Sequence, residues 1–98
     1  MTITKKQNGS TLELALAGRL DTMTAPELEA ALSKDVGGAD ELILDFSKLD
    51  YISSAGLRVL LSAHKAMLSK EGMKVINVND IVQEVFEVTG FADILTIE

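Results

Sequence analysis

The sequence contains no cysteine, one proline and one histidine among its 98 residues. Without cysteine there is no disulfide frame, no thiolate metal site and no cysteine nucleophile. The same absence fits a reducing compartment, and we expect the protein to be cytoplasmic. The single histidine and the scattered carboxylates show no spacing typical of metal ligands. We therefore expect neither a metal nor another cofactor.

Positive charge is also scarce, because nine Lys and Arg stand against fifteen Asp and Glu, for a net charge of −6. A protein that binds DNA or RNA needs clustered Lys and Arg to displace counterions, so this composition argues against nucleic-acid binding. No apolar run approaches the ~18 residues that span a bilayer. The first six residues also lack the apolar stretch of a signal peptide. We expect no direct insertion into a membrane.

Hydrophobic residues are plentiful, at 47 % of the chain, which is enough for one core. The length suits a single domain over residues 1–98. Apolar patterning predicts strands near residues 2–6, 11–17, 42–44, 74–78 and 94–97. Helical spacing predicts a helix after Thr24, a second after Ser53 or Ser54, and a third after Asn79 or Asp80.

This alternation predicts an α/β fold. The last three strands are separated by helices and should run parallel, whereas the first two form a hairpin. We expect a mixed, mostly parallel sheet of about four to five strands. About three to four helices should pack mainly on one face of it.

Several local signals refine this prediction. Asn8-Gly9 indicates a type I′ hairpin turn, in which both residues take positive φ. Thr24 and Glu27 have the spacing of a capping box at the start of the first helix. The continuous run Leu42–Leu44 suggests a strand that is buried on both faces.

The second helix is expected to place Leu57, Leu60, Leu61, His64 and Leu68 on one apolar stripe and to stop at Gly72.

The chain lacks the machinery of an enzyme. His64 follows Ser54 by ten residues on the same predicted helix, which separates them by roughly 15 Å and excludes a serine–histidine dyad. No phosphate-binding glycine loop and no Gly-x-Ser-x-Gly elbow is present. Asp21, Asp45 and Asp50 could still converge at the carboxyl ends of the strands, or they could serve as loop and cap residues.

Three segments carry a family resemblance. The string from Leu49 to Leu61 contains Tyr51-Ile52-Ser53-Ser54-Ala55-Gly56-Leu57, Gly18-Arg19-Leu20-Asp21 precedes Thr24-Ala25, and Val88-Thr89-Gly90-Phe91 lies near the end. Together they resemble the STAS domain family, and within it the bacterial anti-sigma factor antagonists. The resemblance covers essentially the whole chain. The first two segments are specific, and the third is weak.

The resemblance implies a partner-switching cycle without catalysis by this chain. The unphosphorylated antagonist binds a serine-kinase anti-sigma factor, which phosphorylates it with ATP and then releases it. A PP2C-type phosphatase resets the cycle. The phosphoacceptor aligns with Ser54. Ser53 stands where the family often has Asp, which leaves Ser53 as an alternative acceptor.

The resemblance also implies which residues contact the partner. These are Asp21, Thr24, Ser53, Ala55, Gly56, Leu57 and Arg58. STAS domains also serve membrane transporters. An alternative is therefore a subunit of a membrane transport complex, in which the same helix face is a permanent docking site.

Overall fold

A computed structural model describes all 98 residues of the chain. The five strands are β1 (Thr2–Asn8), β2 (Thr11–Leu20), β3 (Glu41–Ile52), β4 (Gly72–Ile76) and β5 (Thr96–Ile97). The three α-helices are α1 (Ala25–Asp35), α2 (Ser54–Met67) and α3 (Asp80–Thr89), and short 3-10 turns follow α1 and α3. The order of strands and helices along the chain is the predicted one.

The sheet has the strands in chain order, from β1 at one edge to β5 at the other. β1 and β2 are antiparallel, and every later pair is parallel. Because successive crossovers share one hand and the strand order never reverses, all three helices lie on the same face of the sheet. The mixed, mostly parallel α/β sheet with helices on one face is therefore confirmed.

The hydrophobic core lies between that face and the helices. It contains 23 buried hydrophobic residues and no buried polar or charged residue. Leu42 and Leu44 are fully buried, but Ile43 between them is only half-buried because no helix covers the other face. The expectation that this strand is buried on both faces was wrong.

Strand β3 is much longer than the predicted segment. Its inward residues alternate up to Phe46 and then follow at three-residue steps, at Leu49 and Ile52. The pairing with β2 shifts register twice over the same stretch, as expected for bulges that each add one residue to β3. With these two bulges, Leu49 and Ile52 still face the core, and β3 stays paired with β2 up to Leu20.

The hairpin turn differs from the predicted type. Asn8 pairs with Thr11, so Gly9 and Ser10 form the turn. Of these two, Gly9 alone has positive φ, at 64°. Glycine at the first turn position is the pattern of type II′, not type I′.

Helix α2 also departs from its predicted stripe. Its buried face contains Leu57, Leu60, Ala63 and Met67, whereas His64 is half-exposed and Leu68 is 66 % exposed. The helix ends at Met67, and Gly72 with φ of 103° begins β4 instead of ending the helix. None of the helices combines the length and apolar character that a bilayer crossing requires.

Candidate functional site

The site is built where β2 and β3 end side by side. Leu20 and Ile52 are paired neighbours at these ends. The backbone N–H of Ser53 donates to the carbonyl oxygen of Leu20 over 2.9 Å. The sheet thus brings the loop from Asp21 to Thr24 next to the segment that begins α2.

Gly56 seats the first turn of α2 against the sheet. A Cβ atom at this position would lie 2.6 Å from Cγ of Leu20 and 2.9 Å from Cγ1 of Ile52. Only glycine permits so close an approach without displacing these two core side chains. Gly56 and Leu57 are both buried, so these two predicted contact residues hold the helix in place and do not face solvent.

The two serines have opposite environments. Ser53 occupies the N-cap position with an extended backbone, but its hydroxyl is buried and has no hydrogen-bond partner. Ser54 is the first residue of α2, and its exposed hydroxyl makes no hydrogen bond. The backbone N–H groups of the first turn therefore have no side-chain acceptor.

The loop before α1 is braced by Thr24 and Asp21. The hydroxyl of Thr24 accepts from the N–H of Asp21 at 2.9 Å and donates to the carbonyl of Arg19 at 2.8 Å. The Asp21 carboxylate accepts from the N–H groups of Met23 and Thr24 at 3.0 and 3.1 Å. Thr24 makes no side-chain cap bond, so the predicted capping box with Glu27 was wrong. Its hydroxyl is already used to close the loop.

This bonding keeps Asp21 anionic. Desolvation raises the pKa of the Asp21 carboxyl, but the N–H groups of Thr24 and Met23, the Thr24 hydroxyl and the Arg19 charge together outweigh it. The pKa of Asp21 therefore lies below its ordinary value of 3.8. Nε of Arg19 is 3.7 Å from Oδ2 of Asp21, and its guanidinium carbon lies 4.4 Å from the ring centroid of Tyr51.

A shallow cleft of about 240 Å³ separates the starts of α1 and α2. Thr22 and Pro26 line one side, and Ala55 and Arg58 line the other. Arg58 is exposed and Ala55 is half-buried. The predicted residues that reach solvent here are thus Asp21, Thr24, Ser54, Ala55 and Arg58.

Two features of this edge were missed in the sequence. One is the stacking of Arg19 on Tyr51, which no pattern in the sequence indicates. Met23, 83 % exposed in the same loop, could have been noticed as an apolar residue between polar ones.

Asp45 lies away from this edge. It accepts from Asn77 at 3.1 Å and stands seven residues before Ile52 on β3, which is about 20 Å along the strand. Asp21 and Asp45 therefore do not converge.

These features define a small α/β domain in which one helix begins, with an exposed serine, beside a braced acidic loop. A family model described as "Mlab, STAS domain" matches residues 3–96. The putative anti-sigma factor antagonist BtrV of Bordetella bronchiseptica is 37 % identical over 99 residues, which cover 99 % of this chain and 85 % of that protein. The anti-sigma-B factor antagonist of Bacillus subtilis is 30 % identical, with coverage of 94 % and 85 %. The chain belongs to the STAS domain family, among the anti-sigma factor antagonists, a class of regulatory and non-enzymatic proteins.

Solved structures share the fold. An anti-sigma factor antagonist from Mycobacterium paratuberculosis superposes with a TM-score of 0.89 at 22 % identity, covering 98 % of this chain and 83 % of that one. Unphosphorylated SpoIIAA superposes with a TM-score of 0.84 at 19 % identity, covering 99 % of this chain and 88 % of that one. The phosphorylated form of SpoIIAA gives 0.76 at 19 % identity, with coverage of 99 % and 91 %.

Proposed function

We propose that this protein binds a serine-kinase anti-sigma factor in the cytoplasm and that phosphorylation of Ser54 ends this binding. The kinase transfers the γ-phosphoryl group of ATP to Oγ of Ser54, which loses its proton, and ADP leaves. A PP2C-type phosphatase then hydrolyses the phosphoserine and restores the binding form. The exposed, unpartnered hydroxyl of Ser54 at the start of α2 is the observation that carries this proposal.

Accessibility favours Ser54 over Ser53 as the acceptor. A kinase must bring the hydroxyl oxygen in line with the γ-phosphorus of ATP, so the hydroxyl has to enter the kinase's active site. The Ser53 hydroxyl is buried and would require the start of α2 to detach from Leu20. Ser54 needs no such change.

The local electrostatics allow a phosphate at this position without unfolding. The first turn of α2 presents backbone N–H groups and the positive end of the helix dipole, and both stabilise an anion. Arg58 lies four residues on, on the same side of the helix as Ser54. The folded domain can therefore carry a modification that adds about −1.5 to −2 charges.

The effect on a partner comes from charge at the contact surface. Asp21 is already anionic beside this surface, and phosphorylation adds a second, larger negative group. To turn nearly complete binding into nearly complete release, the modification must weaken affinity about 10⁴-fold. A phosphate that is desolvated at the contact surface and faces no cationic group of the kinase can supply a difference of this size.

The test combines phosphorylation with binding. The purified protein is incubated with ATP and a serine-kinase anti-sigma factor from the same organism, and the modified residue is located by mass spectrometry. We expect one phosphate on Ser54 in the wild type and in the control Ser53→Ala, and none in Ser54→Ala. Ser54→Asp should bind the kinase at least about tenfold more weakly than the wild type.

Two outcomes would contradict the proposal. Phosphate on Ser53 alone would move the switch to the neighbouring residue. Normal kinase binding by Ser54→Asp, with no phosphate on either serine, would leave the permanent docking subunit of a transport complex as the better function. Co-purification with membrane proteins would then be its test.

A further inference from the structure

Helix α3 carries an apolar stripe that no other part of the chain covers. Ile81 and Val88 are 61 % and 80 % exposed, and Val85 between them is half-buried against the core. Their spacing places the three on one side of the helix, over about 11 Å of its length. They line a groove of about 270 Å³ together with Glu84 and Thr89. The stripe therefore extends the hydrophobic core to the surface.

The charged residues of α3 are all acidic, and Glu84 is the charged residue that lines the groove. Asp80, Glu84 and Glu87 are exposed on the outer side of the same helix, and α3 contains no Lys, Arg or His. A second copy of this chain would bring the same carboxylates against them, and each copy has a net charge of −6. Like charges across an interface disfavour association, whereas a basic partner is favoured.

Helix α3 is capped at both ends and anchored to the core by two buried side chains. The Asn79 side chain accepts from the N–H of Val82 at 2.8 Å, and Gly90 ends the helix with φ of 83°. Val82 and Phe86 anchor its inner face with no exposure. Because the helix is already formed, its ordering would take little from the free energy of binding.

We propose that α3 is a second docking surface, which takes a basic amphipathic helix of a partner protein. Apolar residues of that helix at positions i, i+4 and i+7 would pack on the stripe of Ile81, Val85 and Val88, and its flanking Lys or Arg would meet Glu84 and its neighbouring carboxylates. This surface lies on a different helix from Ser54, so the proposal does not depend on phosphorylation.

The test uses a synthetic helical peptide with Leu at this spacing and Lys on its flanks. A second peptide has Glu in place of Lys, and a third has Ser in place of Leu. Each is titrated into the ¹⁵N-labelled protein and followed by NMR. We expect shifts centred on α3 with the Lys–Leu peptide, much weaker shifts with the other two, and weaker binding as salt is raised.

Variants then locate the binding. The double variant Ile81→Ser with Val88→Ser should bind the Lys–Leu peptide at least about tenfold more weakly, because two apolar contacts are lost. Leu68→Ser is the matched control, since Leu68 is a similarly exposed apolar residue on the segment that follows α2. It should leave the affinity unchanged. Both variants alter exposed side chains, and their folding is checked in the same spectra.

Three results would overturn the proposal. Equal binding of the Lys–Ser peptide would indicate a purely electrostatic attraction without a docking surface. Equal binding of the Glu–Leu peptide would show that the carboxylates do not select the partner. Shifts on α3 that depend on protein concentration without peptide, and that the double variant removes, would identify a second copy as the occupant.

Discussion

The starts of α2 and α3 have similar backbones but are held by different means. Ser53 and Asn79 both precede their helices in an extended conformation. Asn79 accepts from Val82 N–H at 2.8 Å and donates from Nδ2 to the carbonyl of Leu49 at 2.8 Å. Ser53 has a buried hydroxyl without a partner, and α2 is held by the backbone bond to Leu20 and by Gly56. A polar cap thus fixes α3, whereas close packing fixes α2 and leaves its first N–H groups available.

The largest effect should come from removing the close packing at α2. Gly56→Val adds a branched side chain where even a Cβ would lie 2.6 Å from Leu20, so we expect the free energy of unfolding to fall by about 3 kcal/mol. Urea denaturation measures this loss. Ala66→Val, at an exposed position of the same helix, controls for the lower helix propensity of valine and should cost less than about 1 kcal/mol. Equal losses would mean that packing at Gly56 does not hold α2.

Loss of the polar cap at α3 should have the next largest effect. Asn79→Ala removes the acceptor for Val82 and the donor to Leu49, and we expect a loss of about 1–2 kcal/mol in unfolding free energy. Asn79→Asp keeps the acceptor and should recover part of that loss. A decrease below about 0.5 kcal/mol for Asn79→Ala would remove the distinction between the two helix starts.

The corresponding change at α2 should cost nothing. Ser53→Ala removes a hydroxyl that caps no N–H and is buried without a partner. We expect the free energy of unfolding to stay the same or to rise by up to about 1 kcal/mol, because an unsatisfied polar group is eliminated. If thermal and urea denaturation instead show a loss comparable to that of Asn79→Ala, then Ser53 does cap the helix in solution.

The smallest effect concerns acid stability at the braced loop beside α2. The pKa of folded Asp21 lies below 3.8, so its contribution to stability is present above that value and is lost as pH falls through the folded-state pKa. An asparagine at this position would keep an acceptor oxygen but would not titrate. Asp21→Asn should therefore flatten the decline of unfolding free energy below about pH 5.

Asp45 supplies the control for that measurement. Desolvation raises its pKa too, but hydrogen bonds from Ser47 and Asn77 and the charge of Lys48 outweigh it, and the pKa of Asp45 is lowered from 3.8. In Asp21→Asn, the free energy of unfolding should therefore still decline somewhat at low pH. The decline should be smaller again in the double variant with Asp45→Asn. An unchanged pH profile in both would show that neither carboxylate is linked to folding.

The order of strands and helices could be predicted from the sequence, because it depends on local hydrophobic periodicity and on the turn and cap residues Gly, Pro and Asn. The start of α2 could be predicted only to Ser53 or Ser54. The length of β3 could not be predicted in this way. Its inward residues Phe46, Leu49 and Ile52 follow a step of three, which two bulges produce and which neither strand nor helix periodicity describes.

Helix caps were predicted with mixed success for a related reason. Of the two candidates at α3, Asn79 is the cap and Asp80 is not, whereas Thr24 and Ser53 occupy N-cap positions without a side-chain cap bond. The Thr24 hydroxyl is engaged by Asp21 and Arg19, residues of its own loop. A short polar side chain has several local partners, and sequence spacing alone does not decide among them.

Because α2 is seated by its backbone and by the absence of a side chain at Gly56, the fold does not depend on a hydrogen bond or a core contact from the side chain of residue 54. Substitutions at this position alter the exposed surface and leave the core contacts as they are. Serine, threonine, alanine or aspartate can therefore replace one another here at little cost in stability. Over evolutionary time, a single codon can change what this surface presents to its partner while the domain beneath it stays the same.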